Sequence, residues 1–232
     1  MQLELDRVRV EFERITAVDG MALGAAALAD FCSTRPAMRP GPWLPGEVGC
    51  LLSHLKAWRR IAGGEERWGA VFEDDLRVSP DLAALLRTGE WIPAEADIVR
   101  LEANRSMRLA NRREIRDVPG RYLYRAVSGT TGAGAYIVSR SAAQWLLSVP
   151  PEQHSSVDIF LFKPKISRVA KTLRRYQVVP AVCIQDGLAE GREVQFRSLI
   201  RKRATFGRGY RKQPHMLLRL WPIRRLPVQF RS

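Results

Sequence analysis

Glu73-Asp74-Asp75 closes a short apolar run, Ala70-Val71-Phe72, and three consecutive carboxylates at the end of a buried strand are a chemical signal. Adjacent carboxylates repel one another and lose hydration on burial. A divalent cation at that point removes the conflict. On an extended chain Glu73 and Asp75 share a face, and ligands of open α/β sheets bind at the carboxyl ends of strands. Two hard oxygen ligands there suit Mg²⁺ or Mn²⁺ bridging to a diphosphate. The competing reading is a solvated acidic turn ahead of a helix at Ser79-Pro80-Asp81.

Three other places carry candidate chemistry. His54 follows Ser53 and lies one helical turn before Trp58; it is either a site residue or a packed histidine on an ordinary helix. Asp158 stands in Ser156-Val157-Asp158-Ile159-Phe160. An acid among apolar residues is costly unless paired or used, and a helix cap is the alternative. Gly129 to Gly134 reads Gly-Thr-Thr-Gly-Ala-Gly, which lets backbone approach a sugar or phosphate closely or simply turns between strands. It fits neither the phosphate-loop nor the dinucleotide spacing.

The elements that must position these residues follow from periodicity. A helix starts at Pro45-Gly46-Glu47, and Leu51, Leu55, Trp58 and Ala62 fall on one face of it before Gly63-Gly64. Phe12 to Val18, residues 70–72, 97–101, 122–127, 132–138 and 176–180 read as strands. Residues 1–10 and Met21 to Phe31 read as helical, and Arg35 to Pro45 as a proline-rich loop. Ser79 with Pro80 starts a helix running to about Arg87, and Ser139 caps another running through Leu147. Asn104 to Asp117, rich in Arg and Asn, reads as a surface excursion. Strands alternating with helices predict one layered α/β domain.

Composition bounds the function. The 232 residues are 46% hydrophobic and 27% charged, as expected of a folded protein with a sizeable core. No apolar run reaches membrane-spanning length, and the N-terminus has no secretory pattern. Cys32, Cys50 and Cys183 are far apart in sequence and read as free thiols of a reducing compartment. Three histidines exclude a histidine-rich metal site. The net charge of +14 is uneven: ten of the 38 Lys and Arg residues lie from Arg201 onward and none of the 24 acids does. With Phe206, Tyr210, Leu217, Leu218 and Trp221 interleaved, that segment suits an anionic membrane surface. A solvated tail is the bland alternative. Nucleic acid is disfavoured, because the body is near neutral and lacks any nucleic-acid motif.

Taken together, the motifs resemble glycosyltransferase family 25, the lipooligosaccharide galactosyltransferases of bacteria and their collagen-modifying relatives. The resemblance runs over about residues 8–203. It is carried by Thr16 to Gly20, Pro45 to Cys50 with Leu52-Ser53-His54, Phe72 to Asp75, Gly132 to Ser139, Val157-Asp158, Val179-Pro180, Gln185 and Ser198-Leu199-Ile200. It implies a GT-A type nucleotide-sugar-binding α/β/α sandwich with a mixed, mostly parallel sheet over residues 1–200, and a basic amphipathic tail over 201–232. It further implies inverting transfer from a UDP-sugar, often UDP-galactose, to a glycan or lipid-linked saccharide. Glu73 and Asp75 would ligate Mn²⁺ or Mg²⁺, Asp158 would act as base, and Ser53, His54, Gly134 and Gln185 would line the donor or acceptor site. A lipid-linked acceptor places the protein on the cytoplasmic face of the inner membrane. Members of the family begin with a strand of the Val-Ile-Asn-Leu-x-Arg type, and this chain opens inside the helix that follows it. The expectation is an upstream start or a truncated copy, with a catalytically inactive sugar-nucleotide or glycan-binding remnant as the second reading.

Overall fold

The computed structural model describes residues 1–33, 43–186 and 224–228. The segments 34–42, 187–223 and 229–232 lie outside the described residues, and with them the Ser198-Leu199-Ile200 motif and most of the basic segment. No helix among the described residues is long and apolar enough to cross a membrane.

Helices α1 (Gln2–Arg7), α2 (Ala25–Ser33) and α3 (Pro45–Ala62) come first, then strands β1 (Trp68–Phe72) and β2 (Leu76–Val78) and helix α4 (Leu82–Arg87). Strands β3 (Ile98–Arg100), β4 (Asn104–Glu114), β5 (Tyr122–Ala126) and β6 (Ala135–Ser139) follow. Helices α5 (Arg140–Ser148), α6 (Val157–Phe162) and α7 (Arg168–Thr172) lead to β7 (Arg175–Val179), β8 (Cys183–Gln185) and β9 (Arg224–Val228).

The main sheet has the order β1-β6-β3-β7-β5-β4-β9, and β2 and β8 form a separate two-stranded antiparallel sheet. Within the main sheet β3–β7 is parallel, while β1–β6, β3–β6, β5–β7, β4–β5 and β4–β9 are antiparallel. The sheet is therefore mixed and mostly antiparallel, not mostly parallel as expected. Parallel neighbours need long crossovers, usually through a helix. The four strands from Ile98 to Ser139 follow one another with no helix between them, and antiparallel pairing is what such connections allow.

Central strand β6 shows why both faces are covered. Ala135 and Ile137 belong to a core cluster with Leu82, Leu85, Val99 and Val178, whereas Tyr136 and Val138 belong to another with Leu51, Trp58, Leu146 and Phe160. Successive side chains point to opposite faces, so all five residues of β6 are buried. The predicted face of α3 holds: Leu51, Leu55 and Trp58 are buried on it. Pro45 opens that helix, and the Glu47 carboxylate accepts from Leu44 N at 3.1 Å.

Other expectations change. Residues 104–114 form β4 and not an excursion, because β5 and β9 flank and pair with them. Strand β9 lies within residues 201–232. Ser79 precedes α4 by a turn, and Asp81 is the residue at its N-cap. Phe12 to Val18 joins no ladder among the described residues, and Phe12 and Ile15 are exposed. This stretch lies over α3 instead: Arg60 Nε donates to Glu13 at 2.7 Å, Lys56 donates to the Thr16 carbonyl at 3.1 Å, and Val18 N donates to Ser53 Oγ at 2.8 Å. The approach is close enough that a Cβ on Gly49 would lie 2.5 Å from the Val18 carbonyl oxygen.

Candidate functional site

Strand β1 ends at Phe72, so the acidic triplet is the bend between β1 and β2 and not an extension of the strand. Shared orientation on an extended chain is thus not what gathers the carboxylates. The bend does so, held by Glu73 N donating to the Gly134 carbonyl at 2.8 Å and by Asp186 N donating to the Asp75 carbonyl at 2.9 Å. Pairing of β2 with β8 sets Gln185 opposite Leu76. A methyl group on Gly134 would lie 3.5 Å from both Gln185 Nε2 and Glu73 Oε2. Glu73, Gly134 and Gln185, distant in sequence, are therefore neighbours, and Asp75 adjoins them.

The cluster holds a further acid that the motif reading did not contain. Glu102, just beyond β3, is buried, and Gly134 N donates to its Oε2 at 3.0 Å. Buried Arg100 donates to Glu102 at 3.0 Å and to the Thr131 carbonyl at 2.6 Å. Gly132 has φ +84°, and a Cβ there would lie 2.7 Å from Glu102 Oε1. The glycine-rich turn therefore closes over this ion pair, a close backbone approach, but to protein groups. The signal available in the sequence was Arg100-Leu101-Glu102, two charges on one face of a strand that is otherwise apolar.

Burial pushes the Glu102 carboxyl up, Arg100 only partly offsets this, and the charge on Glu73 adds to it. Asp75 is pushed up to about 6, first by burial, then by repulsion from Glu73 and Asp74. Asp75 Oδ1 is buried with no hydrogen-bond partner. A buried carboxylate oxygen without a donor, under the influence of neighbouring acids, is a position that a cation would stabilise. The hard oxygen donors present fit Mg²⁺ or Mn²⁺.

Glu73 behaves differently from Asp75. Burial would raise it, but the His54 hydrogen bond and charge and the Cys50 thiol outweigh burial and hold it below the ordinary carboxylate range. His54 Nε2 lies 3.3 Å and Cys50 Sγ 3.7 Å from the same oxygen, Glu73 Oε1. On the other side of the ring, His54 Nδ1 is 2.7 Å from the Tyr136 hydroxyl, which also accepts from Trp58 Nε1 at 2.8 Å. An indole N–H only donates, so Tyr136 accepts from Trp58 and can give its own proton to Nδ1. In that neutral tautomer Nε2 carries the N–H toward Glu73; in the charged ring both nitrogens donate, and the Tyr136 oxygen accepts from Nδ1 with its second lone pair. Trp58, Tyr136, His54 and Glu73 thus form one chain of hydrogen bonds.

Asp158 stands in the first turn of α6, where Ser156 Oγ donates to it at 2.9 Å and Ile159 N at 2.8 Å. Its charge contributes to raising the Cys50 thiol, after burial and Glu73, so it belongs to the same electrostatic neighbourhood. Ser53 accepts from Val18 N at 2.8 Å and donates to the Gly49 carbonyl at 2.7 Å. Ser53→Ala is expected to cost about 1–2 kcal/mol of stability, read by urea unfolding. A change confined to nucleotide affinity, with stability intact, would instead make Ser53 a ligand contact.

Glu73, Asp75 and Glu102 influence one another electrostatically beside the ends of β1 and β3 and the glycine-rich turn. The profile of glycosyltransferase family 25 (LPS biosynthesis protein) matches residues 1–161, and the chain belongs to this family. It is 28% identical over 180 residues to the lipooligosaccharide biosynthesis protein lex-1 of Haemophilus influenzae, covering 69% of this chain and 59% of that protein. It is 28% identical over 161 residues to the lacto-N-neotetraose biosynthesis glycosyltransferase LgtE of Neisseria gonorrhoeae, covering 65% of this chain and 57% of that one. A 79-residue stretch is 34% identical to mouse procollagen galactosyltransferase 2, covering 29% of this chain and 12% of that protein. The chain spans less than two thirds of the length of the two bacterial relatives.

Proposed function

We propose that this chain is a metal-dependent, inverting glycosyltransferase of GT-A type. It moves a sugar, galactose in this reading, from a UDP-sugar to a lipooligosaccharide or lipopolysaccharide acceptor. The carrying observation is Asp75, a buried carboxylate with an unpartnered oxygen, pushed up by burial and by its acidic neighbours. Asp75 and Glu73 would hold Mn²⁺ or Mg²⁺. When bound, the ion supplies positive charge against the diphosphate leaving group.

The remaining work falls to the chain itself. Gln185, beside Glu73 and Gly134, offers an amide to donor hydroxyls or phosphate oxygens. Tyr136 and Trp58 fix the His54 ring, and His54 in turn fixes Glu73. Asp158 accepts the proton of the acceptor hydroxyl as its oxygen bonds to the sugar's anomeric carbon and the bond from that carbon to the diphosphate oxygen breaks. The test is UDP release from UDP-galactose with and without Mn²⁺, in the wild type and in Asp75→Asn. Manganese-dependent release lost in the variant supports the reading; equal release in both, or release indifferent to metal, overturns it.

A lipid-linked acceptor fits a protein peripheral on the cytoplasmic face of the inner membrane, held by its basic segment. Replacing Arg201, Lys202, Arg203, Arg208, Arg211 and Lys212 by Gln is expected to weaken binding to anionic vesicles by about 1 kcal/mol per charge. Flotation of vesicles containing phosphatidylglycerol measures this, and unchanged binding removes the anchor.

A second reading, a sugar-nucleotide-binding protein without transfer, draws on the unpaired Phe12 to Val18 stretch and on β1, which pairs with β6 on one side only among the described residues. Tight UDP binding with no manganese-dependent release would favour it.

A further inference from the structure

Cys50 and His54 are four residues apart on α3, so they share one helix face. Glu73 reaches the same point from the end of β1. Cys50 Sγ, His54 Nε2 and Glu73 Oε1 all lie within 4.8 Å of one another. With Zn–S about 2.3 Å and Zn–N and Zn–O about 2.0 Å, a tetrahedral site has S···O and N···O edges of about 3.5 and 3.3 Å. The observed separations to Glu73 Oε1 are 3.7 Å from Cys50 and 3.3 Å from His54. Two edges of a tetrahedron are therefore nearly in place without movement of the backbone.

The surroundings match as well. A metal-bound imidazole is usually fixed through its other nitrogen, and His54 Nδ1 faces the Tyr136 hydroxyl at 2.7 Å. The Glu73 side chain is 29% exposed and Cys50 is only partly buried, so an ion can enter and a fourth position stays open. The donor set is a thiol, an imidazole and one carboxylate, which suits zinc and other thiophilic ions and does not suit Mg²⁺.

We propose that Cys50, His54 and Glu73 form a binding site for a thiophilic divalent cation such as Zn²⁺, distinct in its donors from the Asp75–Glu73 site and competing with it for Glu73. Binding displaces the thiol proton to solvent and moves the imidazole proton to Nδ1. The same ion takes Glu73 out of reach of Mn²⁺, so zinc switches the transferase off. Only this last consequence rests on the function proposed above.

The probe is Co²⁺ added to the purified chain without nucleotide or manganese. The expected result is one tetrahedral Co²⁺ per chain with a thiolate charge-transfer band, displaced by Zn²⁺ and untouched by excess Mg²⁺. Cys50→Ser should abolish the band, and Glu73→Gln should weaken Zn²⁺ binding more than about tenfold in competition with a chromophoric chelator. Asp75→Asn should leave both intact. Absence of the band in the wild type, or a band that survives in Cys50→Ser, overturns the site. Because no turnover is read, that failure leaves the transferase reading standing. Failure to find manganese-dependent UDP release leaves the cobalt result standing in turn.

Discussion

Asp75→Asn is expected to make the metal-free protein more stable at neutral pH while abolishing manganese-dependent UDP release. The folded chain holds this carboxyl up at about 6 against an ordinary 3.8. A raised acid binds its proton more tightly folded than unfolded, so the folded state is favoured at low pH. Stability then falls as pH rises from about 4 to about 6 and stays lower above that window. A tenfold difference in proton affinity between the two states corresponds to about 1.4 kcal/mol. Discounted for the partial exposure of the group, the penalty above pH 6 comes to about 1–2 kcal/mol. Asparagine has no charge to repel Glu73 and Asp74, and its amide is a donor.

Urea unfolding in EDTA should therefore show a gap in favour of the variant at pH 7 that closes near pH 4. Adding Mn²⁺ should stabilise the wild type by mass action and leave the variant unmoved. Removing one group that faces developing charge typically costs about 10²–10³ in rate, so loss of UDP release of at least that order is expected. A variant less stable than the wild type at pH 7 would mean that Asp75 makes a structural bond, and the cation site would lose its chief support. Stability traded for function at such a position is a common pattern.

The second large effect is structural. Arg121→Met is expected to cost about 3–5 kcal/mol. The guanidinium is buried, and it donates to Asp81 Oδ2 at 2.7 Å, to the Pro180 and Ala181 carbonyls at 2.9 and 3.0 Å, and to Ser79 Oγ at 2.8 Å. One side chain thus ties the start of α4 to the turn between β7 and β8. Removal leaves two carbonyls and a carboxylate without this donor. Lysine carries the charge but lacks the fork of donors, so Arg121→Lys should recover only part of the loss. The exposed pair Arg60–Glu13 offers a comparison: its removal is expected to change stability by less than about 1 kcal/mol.

Thermal and urea unfolding of the three variants measures this ordering. Equal costs for the buried and the exposed arginine would show that the network around Arg121 does not hold the fold. Strand β8 carries Gln185 and pairs with β2 next to Asp75, so Arg121→Met should also weaken nucleotide binding without any contact between Arg121 and the ligand.

Family membership was legible in the sequence, because Pro45 to His54, Phe72 to Asp75 and Gly132 to Ser139 carry it as local motifs. So were the elements set by near neighbours along the chain. Helix α3 buries the face that its spacing of Leu51, Leu55 and Trp58 marks out. Ser139 caps α5 as read, with Ala142 N donating to its Oγ at 3.1 Å. A helix is written in i, i+4 contacts and a cap in i, i+3 contacts, and both lie within a few residues.

Pairing is not written that way. Phe12 to Val18 alternates like a strand, yet no described strand lies beside it. Asn104 to Asp117 reads as a surface excursion, yet its flanks supply hydrogen-bond partners and residues 104–114 become β4. The direction of the strands depends on which distant segment returns to which edge, and nothing local encodes it. The site divides in the same way. Residue types at Glu73, Asp75 and His54 announced charge and ligating atoms. Only the folded chain put Cys50 and His54 against one oxygen of Glu73, added Arg100 from β3 and Glu102 from just beyond it, and left Asp75 Oδ1 without a donor. Sequence by itself determined which groups are present and which helices form, because those follow from local sterics and hydrogen bonds. Tertiary structure decided which groups surround each carboxylate and which oxygen is unpaired, because burial and electrostatics depend on neighbours distant along the chain.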